Sequence, residues 1–413
     1  MVAEFEVIPS IIGILFLVIP AMFFGKICKR LGMSEIVGFV LAGVFLGPFA
    51  LGGMIPVFDG SIVHLDDVTI ALWEISGIVI LFAAGLHFTF RDLIRAGPYS
   101  AIIGVMGVAA PLGLGFVVTQ MFGFGWEVAV LIGATLCATS IAVSVTVLGE
   151  LGMEKTKEGK ILVNAAVLDD VIVLAVLSAV SSIVVYHAVP TVDSVAVTVL
   201  GGIGLWFVIL LAAVFVLPKI IHGVATASPT SLKVRGTKQG AALCSAFGFA
   251  AIAYMVGLSP IVGAFAAGMG LAGSKLASQV REFVGRLKVI AEPLFFVIVG
   301  AHVNIGLILD VDWVFFAAIL AVAVSSKVLG CGIPASLMLR DSRKGLCIGY
   351  GMVARGEVAL IISGIGLSTG ILNNEIYSTL VIVVLATIII SPTLLRMGAR
   401  KDSQGQESPQ GGR

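Results

Sequence analysis

Long apolar runs recur along this chain, and charged residues are almost confined to the short stretches between them. A helix crosses the hydrocarbon core of a bilayer with about 20 apolar residues, and in that medium a helix or a closed barrel is needed to satisfy the backbone. Thirteen runs are read: Ile8 to Gly25, Glu35 to Leu51, Val68 to Phe88, Tyr99 to Phe122, Trp126 to Leu148, Ile161 to Val185, Val195 to Leu217, Ala241 to Val256, Ile261 to Leu271, Val289 to Val303, Val314 to Leu337, Leu346 to Leu367 and Tyr377 to Leu395. They predict an all-α polytopic membrane protein with 13 transmembrane helices. Only 12% of the 413 residues are charged, against about 25% in ordinary soluble domains. The expected division is a membrane domain over residues 1–398 and a polar, disordered cytoplasmic tail over 399–413. No basic stretch precedes the first run; Glu4 and Glu6 precede it instead, so that run is expected to be a span and not a cleaved leader.

Basic residues set the topology, because Lys and Arg favour the cytoplasmic side. They follow spans one (Lys26, Lys29, Arg30), three (Arg91, Arg95), five (Lys155, Lys157, Lys160), seven (Lys219, Lys233, Arg235, Lys238), nine (Lys275, Arg281, Arg286, Lys288), eleven (Arg340, Arg343, Lys344) and thirteen (Arg396, Arg400, Lys401, Arg413). Loops on the other face have none, and several carry acids such as Asp59, Asp66, Asp193 and Asp312. The N-terminus is therefore expected outside and the C-terminus in the cytoplasm of a cell membrane. Spans eight and nine are separated only by Gly257-Leu258-Ser259-Pro260. Merging them would reverse every later loop.

Of the 25 basic residues, 23 lie in those loops or the tail. The other two, Lys327 and Arg355, lie within spans, as do the acids Glu74, Asp169, Asp170, Glu292 and Glu357. A carboxylate at the bilayer centre costs roughly 2.5–3.5 kcal/mol on insertion scales, and such groups usually pair with one another or face a wet interior. Asp169 and Asp170 are adjacent in AAVLDDVIVLAV, and neighbours on a helix point about 100° apart, so they need not share one task. Asp169, Asp170 and Lys327 read either as an ion pair that fixes helix packing or as a proton and cation site. A desolvated carboxyl gains proton affinity and a desolvated lysine loses it, and a bare carboxylate is a hard oxygen ligand for an alkali cation.

Two spans carry signs of interruption. Span five, GATLCATSIAVSVTVLGELG, holds Thr135, Thr139, Ser140, Ser144 and Thr146; span twelve, CIGYGMVARGEVALIISGIG, has glycines around Arg355 and Glu357. Hydroxyls in a span commonly bond back to their own helix; broken helices instead bring carbonyls and half-helix dipoles to a transport site. Arg355 and Glu357 read equally as neutralisers of helix ends. Paired interruptions in two halves are the mark of an inverted repeat.

Other features are weaker. Gly38, Gly43 and Gly47 form a small-residue face suited to close packing or to a dimer contact. The five histidines (His64, His87, His187, His222, His302) lie near span ends, and the five cysteines have no metal-ligand spacing and read as small core residues. Glu74 and Glu292 read as further pathway acids, with packing the other reading for Glu292, just before Pro293. No Walker A loop or nucleotide fingerprint is present, so neither an enzyme nor an ATP-driven pump is expected, and energy coupling must come from ion gradients. No cofactor and no nucleic-acid partner are expected.

The motifs VGFVLAGVFLGP, FAAGLHF, ATSIAVSVTVLGELG, AAVLDDV, LSPIVGAFAAGM, EPLFFVIVGAHV, KVLG and GMVARGEVALI occur in this order from span two to span twelve. In them the chain resembles the cation–proton antiporters, in the branch with two adjacent aspartates, most like bacterial NapA-type sodium/proton antiporters. The resemblance implies a core bundle with two crossed, partly unwound helices, a second bundle for homodimerisation, and exchange of sodium or lithium for protons. It implies that Asp170 takes the cation and protons in turn, that Asp169 pairs with Lys327 when the cation is absent, and that Thr139 and Ser140 lie at the unwound site. It also implies electrogenic exchange of two protons per cation. The chain departs from the family pattern at Ala354, where a proline is common. A potassium/proton antiporter of the same fold is the alternative; a gated cation channel fits less well, because Lys327 would repel cations.

Overall fold

The computed structural model describes residues 7–31, 33–57, 60–186, 192–221, 237–274, 276–304, 306 and 311–403. His187 and His222, the loop basics Lys233, Arg235 and Lys275, and residues 404–413 lie outside them. The architecture is helical: α1 (Val7–Arg30), α2 (Glu35–Leu46), α3 (Leu51–Met54), α4 (Asp67–Gly85), α5 (Phe90–Met121), α6 (Trp126–Cys137), α7 (Ile141–Glu150), α8 (Lys157–Tyr186) and α9 (Val192–Phe215). Then follow α10 (Thr237–Met255), α11 (Pro260–Ala272), α12 (Ala277–Ala301), α13 (Trp313–Lys327), a π-helical turn (Val328–Gly332), α14 (Ile333–Leu339), α15 (Ser342–Gly351), α16 (Glu357–Ser368) and α17 (Asn374–Ser403). Strands β1 (Pro56–Val57) and β2 (Gly60–Ser61) form one short antiparallel hairpin. Among the described residues, eight helical segments are long and apolar enough to cross a membrane. This is a polytopic helical membrane protein.

Helices run past the apolar stretches that announced them. α12 begins at Ala277 and α8 at Lys157, well before Val289 and Ile161. Apolarity marks depth in the bilayer, whereas backbone hydrogen bonding continues into water on charged residues with good helix propensity. For the same reason α17 continues to Ser403, into the segment expected as tail. The split between spans eight and nine is real: α10 ends at Met255, Gly257 turns the chain with φ +81°, and Pro260 opens α11.

The chain forms two compact units. The first comprises residues 1–95 and 196–305. Its helices meet on backbone. A methyl group at Gly43 of α2 would lie 2.0 Å from the Val297 carbonyl of α12, and one at Gly300 would lie 2.1 Å from the Val40 carbonyl of α2. The small-residue face of span two is therefore used for packing within the unit: Gly43 and Gly47 against α12, Gly38 against α1. Gly43→Val should strip the chain of its monodisperse folded form, because neither backbone can give way; size-exclusion chromatography in detergent reads this directly. Asp66 caps α4, accepting from the Thr69 amide at 2.9 Å and from the hydroxyls of Thr69 and Ser10. Burial raises the proton affinity of its carboxyl, but those hydrogen bonds outweigh burial and hold it below the usual carboxylate range.

The second unit comprises residues 96–195 and 306–413. Each of its two segments supplies a long span, an interrupted span and a second long span: α5, α6–α7 and α8, then α13–α14, α15–α16 and α17. All the intramembrane basic residues lie here, together with the aspartate pair.

Candidate functional site

Span five is broken. Residues 138–140 leave the helix between α6 and α7, so Thr139 and Ser140 stand at the gap. Span twelve is broken in the same way over residues 352–356, between α15 and α16. The two gaps touch. The Ser140 amide donates to the Ala354 carbonyl at 2.8 Å, and the Ser144 hydroxyl donates to the Gly351 carbonyl at 2.6 Å. A methyl group at Gly356 would lie 2.9 Å from the Ser140 side chain, so only glycine lets the gaps close on each other. Two helix N-termini and two C-termini, each carrying about half an elementary charge, thus converge where groups left unbonded by the breaks would otherwise be orphaned.

Arg355 sits fully buried in the second gap. Its guanidinium donates to Met352 O at 3.3 Å, Val353 O at 2.9 Å and Ala323 O at 2.8 Å, and its amide donates to the Thr387 hydroxyl of α17 at 3.1 Å. A cation thereby answers the carbonyl end of α15, the place the dipole favours it, and fastens it to α13. The sequence reading placed Arg355 at a helix end but missed Thr387, whose hydroxyl also bonds Val384 O at 2.8 Å and so looks in sequence like any back-bonded threonine. Glu357 is the first residue of α16.

The Asp169 and Lys327 side chains are wholly inaccessible, and Lys327 Nζ donates to Asp169 Oδ1 at 2.9 Å. Lys327 is the last residue of α13, immediately before the π-helical turn; such bulges are frequent at functional sites. The other carboxylate oxygen, Asp169 Oδ2, is buried with no hydrogen-bond partner among the described residues, as is the Thr139 hydroxyl. Asp170 keeps 8% exposure beside a neighbour that keeps none. Adjacent aspartates thus have different surroundings: one neutralised by lysine, the other with residual access.

The remaining hydroxyls of span five divide between the two readings. Thr135 bonds back to Leu131 O at 2.9 Å. Ser144 bonds both to Ser140 O of its own helix and across to span twelve. Thr146 is buried with no hydrogen-bond partner among the described residues. Asn164 of α8, which sequence reasoning did not single out, is fully buried with neither amide atom bonded there.

Two expected pathway acids lie elsewhere. Glu74 belongs to α4 in the first unit and is exposed there, not buried. The span-wide apolar run could not show which face of the helix it occupies. Glu292, also in the first unit, is half-buried, with Lys288 one turn earlier on α12 at 3.0 Å. Cys28, Cys137, Cys331 and Cys347 are core residues as expected, whereas Cys244 is exposed.

Opposite charges held out of water, in a unit with two interrupted membrane helices that cross, are features found in ion transporters. Residues 14–400 match the family described as sodium/hydrogen exchanger, transmembrane, and the chain belongs to that family. It is 32% identical over 382 residues to the Na(+)/H(+)-K(+) antiporter GerN of Bacillus cereus, covering 90% of this chain and 92% of that one. It is also 32% identical over 392 residues to a Na(+)/H(+) antiporter of Enterococcus hirae, covering 94% and 98%. Among solved structures, the sodium proton antiporter MjNhaP1 of Methanocaldococcus jannaschii has the same fold, with a TM-score of 0.65 at 17% identity over 96% of this chain and 99% of that one.

Proposed function

We propose that this chain is a secondary active antiporter that exchanges sodium or lithium for protons by alternating access. The observation that carries the reading is the lysine-neutralised Asp169 beside the partly accessible Asp170, in the unit whose two broken helices cross. Competition at a single carboxylate suffices for coupling. A cation on Asp170 expels its proton and a proton expels the cation, so the site crosses the membrane occupied by one or the other. Thr139 and Ser140, at the gap in span five, would supply oxygen ligands, with Asp169 as the neighbouring carboxylate. Lys327 or Asp169 would carry a second proton, which makes the exchange electrogenic at two protons per cation.

The wider arrangement follows from the same reading. Thirteen spans place the N-terminus outside and the C-terminus in the cytoplasm of the cell membrane. The paired triplets of the second unit form inverted repeats and the moving core. The first unit, with Glu74 and Glu292, forms the bundle through which two copies associate.

Proton flux in proteoliposomes tests the function. Addition of Na⁺ or Li⁺ should drive protons across, K⁺ should not, and clamping the membrane potential should change the rate. Equal or faster flux with K⁺ would make this a potassium/proton antiporter, a reading favoured by the name of the GerN relative, which includes potassium. Cation flux without stoichiometric proton counterflow would identify a channel. No cation-driven proton movement between about pH 6 and 9, a window that brackets plausible carboxyl and lysine shifts, would sink antiport itself.

A further inference from the structure

The ion pair is walled on one side by a helix that carries no charge there. α5 passes α8 at Gly104, where a methyl group would lie 3.2 Å from Ala165 O and 3.6 Å from the Asp169 amide. One turn on, at Gly107, an added methyl would lie 2.9 Å from Cys331 Sγ, 3.2 Å from Asp169 Oδ1 and 3.6 Å from Lys327 Nζ. A side chain at position 107 would thus meet both members of the pair and the thiol of the π-helical turn. The wall is fixed by bonds from both sides. Cys331 Sγ donates to Ile103 O at 3.6 Å, and Cys137 Sγ of α6 donates to Val108 O at 3.3 Å. At Gly330 a methyl would meet Met106 O and Ala110 Cβ, both at 2.7 Å. The thiol bonds hold α5 against its neighbours, and the contact at Gly330 leaves it no room to come closer.

We propose that Gly107 is a positioning residue of the exchange site, whose missing side chain leaves the space in which Lys327 closes on Asp169. Anything larger at this position holds the pair open. A carbon at 3.2 Å from Oδ1 is tighter than ordinary contact, and the atom it presses is the one that accepts from Lys327. Asp169 Oδ2 is buried with no hydrogen-bond partner among the described residues, so no second bond holds the carboxylate in place when Oδ1 is pressed. The geometric claim stands alone; its consequence for transport rests on the antiport reading.

Thermal unfolding of the purified full-length protein tests the geometry without reference to transport. Gly107→Ala should lower Tm in the native background and by clearly less in Asp169→Asn/Lys327→Met, where no charge pair remains to be opened. Equal losses in the two backgrounds overturn the proposal, since a merely structural glycine would behave that way. Gly107→Ala/Cys331→Ala removes the sulfur contact and leaves the pair contact. It should retain a Tm deficit relative to Cys331→Ala, and full recovery would assign the whole effect to the thiol and overturn the proposal. Should neither Gly107 variant fold, folding of Gly107→Ala in the uncharged background supports the proposal, and its failure there too overturns it. In proteoliposomes, Gly107→Ala/Cys331→Ala should displace the KM for Na⁺ relative to Cys331→Ala with kcat retained. Absence of flux in the wild-type protein would count against antiport and leave the unfolding comparison intact.

Discussion

Asp170→Asn abolishes cation-driven proton flux while leaving a folded protein. The substitution keeps size and shape but removes the charge for which cation and proton compete. Removing one member of a desolvated charge–charge contact costs about 2–5 kcal/mol, and roughly 1.4 kcal/mol is a tenfold change. Cation affinity should therefore fall by roughly one and a half to three and a half orders of magnitude, and flux to the background of empty liposomes. The proton side of the cycle is lost as well, because an amide cannot take up and release a proton in this pH range. Full activity in this variant would remove Asp170 from the mechanism and with it the competition scheme.

Lys327→Met has the second large effect, and it appears first in stability. Asp169 has Lys327 at 2.9 Å, and neither side chain has any exposure. Breaking a buried pair by removing one partner costs about 3–5 kcal/mol, because an uncompensated charge stays behind, whereas replacing both partners is far cheaper. Tm should drop in Lys327→Met and recover for the most part in Lys327→Met/Asp169→Asn. Equal Tm in the two variants would show that the pair contributes little to the fold. The same single variant separates the proton stoichiometries. If Lys327 carries the second proton, residual exchange in its absence no longer responds to a clamped membrane potential. If Asp169 carries it, the response survives.

Much of the site was legible because charge in an apolar span is rare and expensive. Lys327, Arg355, Asp169 and Asp170 stand out in the sequence without any knowledge of contacts, as do the clustered hydroxyl residues around the break at 138–140 and the glycines around the break at 352–356. Glu74 stood out by the same reasoning, yet it is exposed. Position within a run reports depth, and the face of the helix follows only from its neighbours. Gly107 did not stand out, because one glycine among 50 carries no signal until its surroundings are known. Thr387 and Asn164 escaped notice for a related reason, each being a single polar residue that a membrane helix tolerates by back-bonding or burial.

The sequence by itself determined that the chain is a helical membrane protein, where its apolar runs and their interruptions lie, and which charges stand inside those runs. Those properties are sums over local segments: each run has its own transfer free energy, and each intramembrane charge its own cost, whatever lies beside it. Only the tertiary structure decided which charge answers which. Asp169 and not Asp170 meets Lys327, 158 positions further along. Arg355 answers three backbone carbonyls. The two breaks bond to each other through Ser140 and Ala354. These are matters of helix phase and close approach between distant segments, fixed by glycines that let backbones touch.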